Sequence, residues 1–112
     1  MVLVDTSIWL DHLRYNDDAL FQLLEQGQVC IHSMIIGELA CGHLQNREQL
    51  SSLWKNLPHA SEVNHDEALF CLESNRLMGK GIGFVDLHLL ASCLMTSGSL
   101  LWTKDRRLKA VA

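Results

Sequence analysis

The chain opens with the stretch MVLVDTSIW, residues 1–9, and this stretch decides the fold. Its apolar run, Met1 to Val4, is short and unbroken, which is typical of a buried strand in a parallel sheet. Asp5-Thr6-Ser7 closes the run, and all three residue types are good helix N-caps. Because Ile8 and Trp9 then begin an apolar stripe at helical spacing, we predict a strand that leads directly into a helix.

Apolar runs and helical stripes go on alternating along the rest of the chain, without a linker or an internal repeat. This alternation is typical of βαβ units, so we predict an α/β fold with a three-layer α/β/α architecture. A short parallel sheet of about four strands is flanked by helices, and one domain covers residues 1–112. The predicted strands are 1–4, 29–32, 60–63 and 99–103. Seven helices are predicted: one from about residue 6, one over 17–26, one that starts from Ser33 as its cap, one around 50–57, and three over 65–78, 87–95 and 105–112.

Composition agrees with a single globular domain, since 48% of the 112 residues are hydrophobic and 20% are charged. No apolar segment approaches the ~18 residues of a membrane span, and no basic region precedes an apolar stretch at the N-terminus. We therefore expect a cytoplasmic protein. The net charge of −4 is uneven, with −8 on residues 1–75 and +4 on residues 76–112. A basic end beside clustered acids suits a metal-dependent site that acts on a polyanion.

Four acidic residues stand out from the thirteen. Asp5, Asp86 and Asp105 each follow an apolar run and precede a helix, and Glu38 lies in an otherwise apolar helical segment. Ligands of open α/β sheets bind at the carboxyl ends of the strands, where these side chains are expected to meet. Such a group of carboxylates needs a cation, and oxygen ligands without a Cys or His cluster favour Mg²⁺ or Mn²⁺. The alternative is that the three aspartates are helix N-caps and that Glu38 is solvated or paired with a Lys or Arg.

At these same residues the sequence resembles the PIN-domain nucleases. The four matching segments lie in the family's order and cover nearly the whole chain, and compact single-domain members of this kind are typical of VapC toxins from bacterial toxin–antitoxin pairs. The segments are 4–9 (VDTSIW), 36–42 (IGELACG), 83–92 (GFVDLHLLAS) and 101–108 (LWTKDRRL).

The resemblance implies one PIN-like domain, residues 1–112, that acts as a metal-dependent endoribonuclease. Asp5, Glu38, Asp86 and Asp105 would be the catalytic quartet that holds one or two Mg²⁺ ions, with Mn²⁺ as a substitute. Thr6 and Thr103 would support these ligands. It also implies RNA as substrate, products with 5′-phosphate and 3′-hydroxyl ends, a VapB-like antitoxin and a homodimer. No membrane is involved, and DNA is reached only through the antitoxin.

Three basic residues beside Asp105, namely Lys104, Arg106 and Arg107, are candidates for holding the RNA backbone. The alternative is that they are the solvated start of a helix. Two features depart from the family pattern. The chain stops at Ala112, before the usual last strand, and His88 stands where relatives carry a small residue. Because positions two apart on a helix point about 200° apart, we expect His88 to face the core or a partner rather than act with Asp86.

Other functions remain open at this stage. A phosphatase of the haloacid-dehalogenase type also places an Asp after its first strand, but it is set aside because it needs a second Asp two residues later, where this chain has Ser7. A PIN-like module that binds RNA or protein without catalysis is a further alternative. So is a housekeeping PIN nuclease that does not act as a toxin.

Overall fold

The computed structural model describes all residues, 1–112, and its centre is a parallel sheet of three strands. They are β1 (Val2–Val4), β2 (Val29–Cys30) and β3 (Leu100–Trp102), in the order β2-β1-β3. The central position of β1 explains its unbroken apolar sequence, because Leu3 and Val4 are fully buried. All strands are parallel and carry helical connections between them, which confirms the predicted α/β fold.

The predicted fourth strand, residues 60–63, does not form. Only a single bridge joins Ile31 to His59, in which the Ile31 N–H donates to Pro58 O at 2.9 Å and the Ala60 N–H donates to Ile31 O at 2.8 Å. Beyond Ile31 the neighbouring segment turns into a helix that begins at Ser33, so residues 61–63 have no strand beside them with which to continue the ladder. The prediction of about four strands was therefore wrong by one.

Seven helices surround the sheet, and most lie close to their predicted positions. Two helices differ in length from the prediction. The fifth helix ends at Ser74, four residues before the predicted end, because Arg76 adopts a left-handed conformation with φ of 53°. The sixth begins three residues before Leu87. The helices are α1 (Thr6–Tyr15), α2 (Asp18–Glu25), α3 (Ser33–Ala40), α4 (Arg47–Asn56), α5 (His65–Ser74), α6 (Phe84–Met95) and α7 (Arg106–Val111).

The main core lies around β1 and joins the sheet to α1, α2, α3, α4 and α6. Trp9 of α1 and Trp54 of α4 are each 1% exposed, and their rings meet edge to face with centroids 6.0 Å apart. A smaller cluster joins α5 to α6 through Ala68, Leu87 and Leu90. No helix is long and apolar enough to cross a membrane. This packing fixes the positions of the strands and helices that carry the four acidic residues.

Candidate active site

Asp5 lies at the carboxyl end of β1, where the sheet places it beside the end of β3. Its N–H donates to Trp102 O at 2.9 Å, so the β1–β3 ladder continues up to this residue. The Asp5 carboxylate accepts two hydrogen bonds, from the Thr6 N–H at 2.8 Å and from the Thr103 hydroxyl at 2.7 Å. Asp5 is 8% exposed and Thr103 is 1% exposed. Asp5 is thus both the N-cap of α1 and a nearly buried carboxylate with a fixed orientation.

Glu38 reaches the same edge of the sheet from α3. The Thr6 hydroxyl donates to Glu38 Oε1 at 2.7 Å and so links the first turn of α1 to α3. The apolar neighbours of Glu38 in sequence suggested a carboxylate among buried residues, but the structure places Glu38 in an exposed position. Thr6 therefore orients Glu38 directly, and it contacts Asp5 through its backbone N–H.

Asp86 lies in the first turn of α6, whose N-cap is Gly83, so the alternative that Asp86 is itself a helix N-cap is wrong. Its Oδ2 accepts from the Gly83 N–H at 3.1 Å. Burial raises the pKa of Asp86 above its ordinary value, and the negative charges of Asp5, Asp105 and Glu38 raise it further against the opposing Gly83 hydrogen bond. The three other carboxylates thus lie close enough to Asp86 for their negative charges to disfavour its ionised form.

Asp105 is the N-cap of α7. Its Oδ1 accepts from the N–H groups of Arg107 at 2.8 Å and Leu108 at 3.0 Å, and its own N–H donates to Thr103 Oγ1 at 3.1 Å. Thr103 therefore contacts Asp5 and Asp105 at once. Asp105 is exposed. Helix capping engages its Oδ1, whereas its Oδ2 accepts no hydrogen bond from the protein.

These four carboxylates fit a hydrated divalent ion better than a closed protein cage. No three His, Cys, Asp or Glu side chains form a ready-made metal-binding group. Mg²⁺ usually keeps several waters and binds through only one or two carboxylates, which this arrangement allows. No basic side chain is among the groups that shift the Asp86 pKa, and the one ion pair of the chain joins Lys104 to Asp11. None of the four carboxylates therefore makes an ion pair within the protein.

The basic residues beside Asp105 differ in their surroundings. Lys104 is paired with Asp11 of α1, so its charge is partly neutralised. Arg106 and Arg107 are exposed in the first turn of α7 and make no ion pair. The Arg107 side chain lies against the loop that leads to α6.

Sequence reasoning missed His32, which lies between β2 and α3 and is fully buried. Its Nδ1 accepts from the Met34 N–H at 3.0 Å, so His32 is the N-cap of α3. The predicted cap, Ser33, is instead the first helical residue, and its hydroxyl donates to Glu62 Oε1 at 2.5 Å. Ser is a commoner cap than His, which is why the sequence favoured the wrong residue by one position.

His88 belongs to the core, one of the two orientations expected for it. It is 5% exposed, and its ring lies edge to face with His32 at 6.4 Å and with Phe84 at 4.7 Å between centroids. His88 therefore packs the start of α6 against the start of α3. These are the helices that carry Asp86 and Glu38.

We expect His32 to make folding stability depend on pH. Burial is the main reason why the pKa of His32 lies below its ordinary value; Glu62 opposes this, and the nearby His88 and His59 add to it. As pH falls below about 6.5, the unfolded chain takes up this proton first, so stability is lost. His32→Asn keeps an acceptor for Met34 without titrating, and His32→Gln moves the amide one bond too far. Denaturant unfolding between pH 5 and pH 8 measures both.

His32→Asn should lose less stability on acidification than the parent chain. His32→Gln should lose that acid dependence too but be less stable at pH 8 than His32→Asn by about 1 kcal/mol, the usual value of an N-cap. An unchanged acid dependence in His32→Asn would show that another group is responsible.

Residues 2–112 match the PIN domain. The chain belongs to the PIN domain family. Two relatives are 44% identical over 110 residues, which cover 98% of this chain and 89% of each relative. Both are named Ribonuclease VapC32, from Mycobacterium tuberculosis strains CDC 1551 / Oshkosh and ATCC 25618 / H37Rv.

Membership of the PIN domain family confirms the resemblance read from the four motifs. In this PIN domain the motifs are far apart in sequence, yet Asp5, Glu38 and Asp105 all act on the pKa of Asp86. Hydrogen bonds from Thr6 and Thr103 link the first motif to the second and the fourth. The arrangement can concentrate negative charge at one edge of the sheet and attract a cation there.

Proposed function

We propose that this PIN domain is a divalent-metal-dependent endoribonuclease that acts as the toxin of a toxin–antitoxin pair. The observation that carries the proposal is the set of four carboxylates from four separate segments, of which three raise the pKa of the fourth and none makes an ion pair with a basic side chain. The two relatives named as ribonucleases support RNA as the substrate. With cellular RNA as the substrate, the cytoplasm is the proposed site of action.

Asp5 and Asp86 would hold Mg²⁺, with Mn²⁺ as a substitute, and Glu38 and Asp105 would contact it directly or through water. When bound, the ion supplies a water of lowered pKa and offsets the charge that grows on the phosphoryl oxygens. Thr103 fixes the orientation of Asp5 by donating to Oδ2, and Thr6 fixes Glu38 by donating to Oε1. Attack of water at phosphorus breaks the bond to O3′, which leaves 5′-phosphate and 3′-hydroxyl ends.

Cleavage of end-labelled single-stranded RNA by the purified chain tests this function. We expect cleavage with Mg²⁺ or Mn²⁺ and none with a chelator, and products that a 5′-phosphate-dependent exonuclease degrades. Cleavage that persists in the chelator would contradict the metal dependence. Products with 2′,3′-cyclic phosphate ends would contradict attack by water.

Bacterial growth on induced expression distinguishes a toxin from a housekeeping nuclease or a non-catalytic binding module. Induced expression of the parent chain in bacteria is expected to arrest growth, and co-expression of the antitoxin encoded beside it is expected to restore growth. A VapB-like antitoxin would inhibit by placing an Arg or Lys among the carboxylates, where it competes with the metal ion. RNA cleavage without growth arrest would favour the housekeeping nuclease.

A homodimer is the proposed assembly, supported by an exposed apolar patch on α5 and α6. Phe70 is 72% exposed, Leu94 61% and Met95 56%, and the three side chains line one groove. Apolar patches of this kind on small domains are commonly covered by another chain. Light scattering of the purified chain tests the dimer, and the mass of a single chain would overturn it.

A further inference from the structure

The Arg107 side chain lies against the backbone of Gly81, in the space that a Cβ atom at position 81 would occupy. A Cβ atom at position 81 would lie 2.5 Å from Arg107 Cδ and 3.0 Å from Arg107 Nε. The φ angle of Gly81 is +81°, in the region that favours glycine. The arginine side chain is therefore seated on this glycine, and a side chain at position 81 would displace it.

This contact bridges the segments that carry two of the four carboxylates. Gly81 is two residues before Gly83, whose N–H donates to Asp86 Oδ2 at 3.1 Å. On the other side, the Arg107 N–H donates to Asp105 Oδ1 at 2.8 Å. The Arg107 side chain thus spans the rim of the acidic site between the start of α7 and the loop before α6.

The Arg107 guanidinium is also free to bind an anion. It is exposed, it makes no ion pair, and no side-chain hydrogen bond engages its five N–H donors. The neighbouring Lys104, in contrast, is paired with Asp11. A planar guanidinium matches two phosphate oxygens, which makes it well suited to a nucleic-acid backbone.

We propose that Arg107, held in place by Gly81, binds a phosphate of the RNA strand at the rim of the acidic site and so positions the substrate. This inference rests on the ribonuclease function proposed above. It gives Arg107 a role distinct from that of Lys104, because the Arg107 side chain lies against Gly81 in the loop that leads to Asp86, whereas Lys104 is paired with Asp11. Gly81 has a positioning role and does not itself contact RNA.

Binding of a fluorescently labelled single-stranded RNA tests the proposal in Mg²⁺, in an Asp86→Asn background so that the RNA is not consumed. Adding Arg107→Ala should weaken binding about tenfold. The slope of log affinity against log salt should fall by about 0.7, the value of one phosphate contact on a single strand. Lys109→Ala removes the same charge from the same helix and should change affinity less than about twofold. Equal losses in these two variants would overturn the proposal.

A pair of glycine variants tests the seating of Arg107. Gly79 has a φ of +74° and no atom within 4 Å of its Cβ position, so Gly79→Ala reproduces the backbone strain of Gly81→Ala without touching Arg107. Gly81→Ala should weaken RNA binding several-fold, whereas Gly79→Ala should not, and the effect of Gly81→Ala should vanish when Arg107 is already Ala. Equal affinities of the two glycine variants would overturn the seating role.

The failure of this inference is distinguishable from failure of the proposed function. RNA binding and cleavage by the parent chain, with no selective loss in Arg107→Ala, would contradict only the role of Arg107. No RNA binding and no cleavage by the parent chain would overturn the ribonuclease function and the role of Arg107 together.

Discussion

Asp86→Asn is expected to reduce RNA cleavage by about a hundredfold or more, the scale of losing one group that stabilises transition-state charge. Asn has nearly the same shape, and its Oδ1 can still accept from the Gly83 N–H that now bonds Asp86. The change therefore removes the charge with little change of structure. Initial rates in Mg²⁺ at saturating RNA measure the loss. Growth on induced expression should change in parallel, from arrest by the parent to normal growth with the variant.

The melting temperature of the same variant distinguishes a loss of activity from a loss of folding. Burial and the three neighbouring carboxylates raise the pKa of Asp86, so its charged form is disfavoured in the folded state. Its ionisation costs stability once pH exceeds about 3.9, the ordinary aspartate pKa, and that cost is complete above the raised folded value. In a chelator at pH 7, Asp86→Asn should thus melt at a higher temperature than the parent. At pH 3, where both states are protonated, the difference should disappear.

A divalent ion should reverse this order, because it stabilises the folded parent chain by binding to it preferentially. Millimolar Mn²⁺ should raise the melting temperature of the parent more than that of Asp86→Asn. Asp66→Asn, in the exposed first turn of α5, is the matched control and should leave cleavage and the Mn²⁺ response unchanged. Equal Mn²⁺ responses in the parent and Asp86→Asn would remove Asp86 from the metal site.

The strand β1 and the acid after it could be predicted because local pattern and tertiary environment agree there. Leu3 and Val4 are fully buried and Asp5 follows them directly, as an unbroken apolar run ended by a helix cap implies. The non-local features were harder to predict. The single bridge at Ile31 and the cap at His32 depend on what other segments place beside them, which residue type alone does not record.

The same distinction applies within the site. Four carboxylates at one edge of the sheet followed from chain order, because the carboxyl ends of parallel strands share an edge. Their individual orientations did not, because these depend on donors from other segments. The Thr6 hydroxyl binds Glu38 from 32 positions away, and Thr103 binds Asp5 from 98 positions away. The contact of Arg107 with Gly81 has no sequence signal beyond the glycine itself.

Trp9→Ala is expected to cost about 3–5 kcal/mol of folding free energy, the usual range for a large aromatic removed from a core. Trp9 is 1% exposed and its ring packs edge to face on Trp54, so the substitution leaves a cavity between α1 and α4. A domain of this size is stable by only about 5–15 kcal/mol, so much of the stability is lost. Urea unfolding followed by circular dichroism measures it. Phe21→Ala, on a 56% exposed side chain, should change stability by less than about 0.5 kcal/mol.

Trp9 also supports the site, because α1 begins with Thr6, the residue that orients Glu38. Trp9→Phe separates this role from the loss of packing. The Trp9 Nε1 atom is buried without a hydrogen-bond partner, so Phe removes an unsatisfied N–H while keeping an aromatic ring against Trp54. Trp9→Phe should therefore lose much less stability than Trp9→Ala and keep cleavage close to that of the parent chain. Equal destabilisation by the two substitutions would show that the part of the indole ring that Phe lacks, and not an aromatic ring against Trp54, carries the packing of α1 on α4.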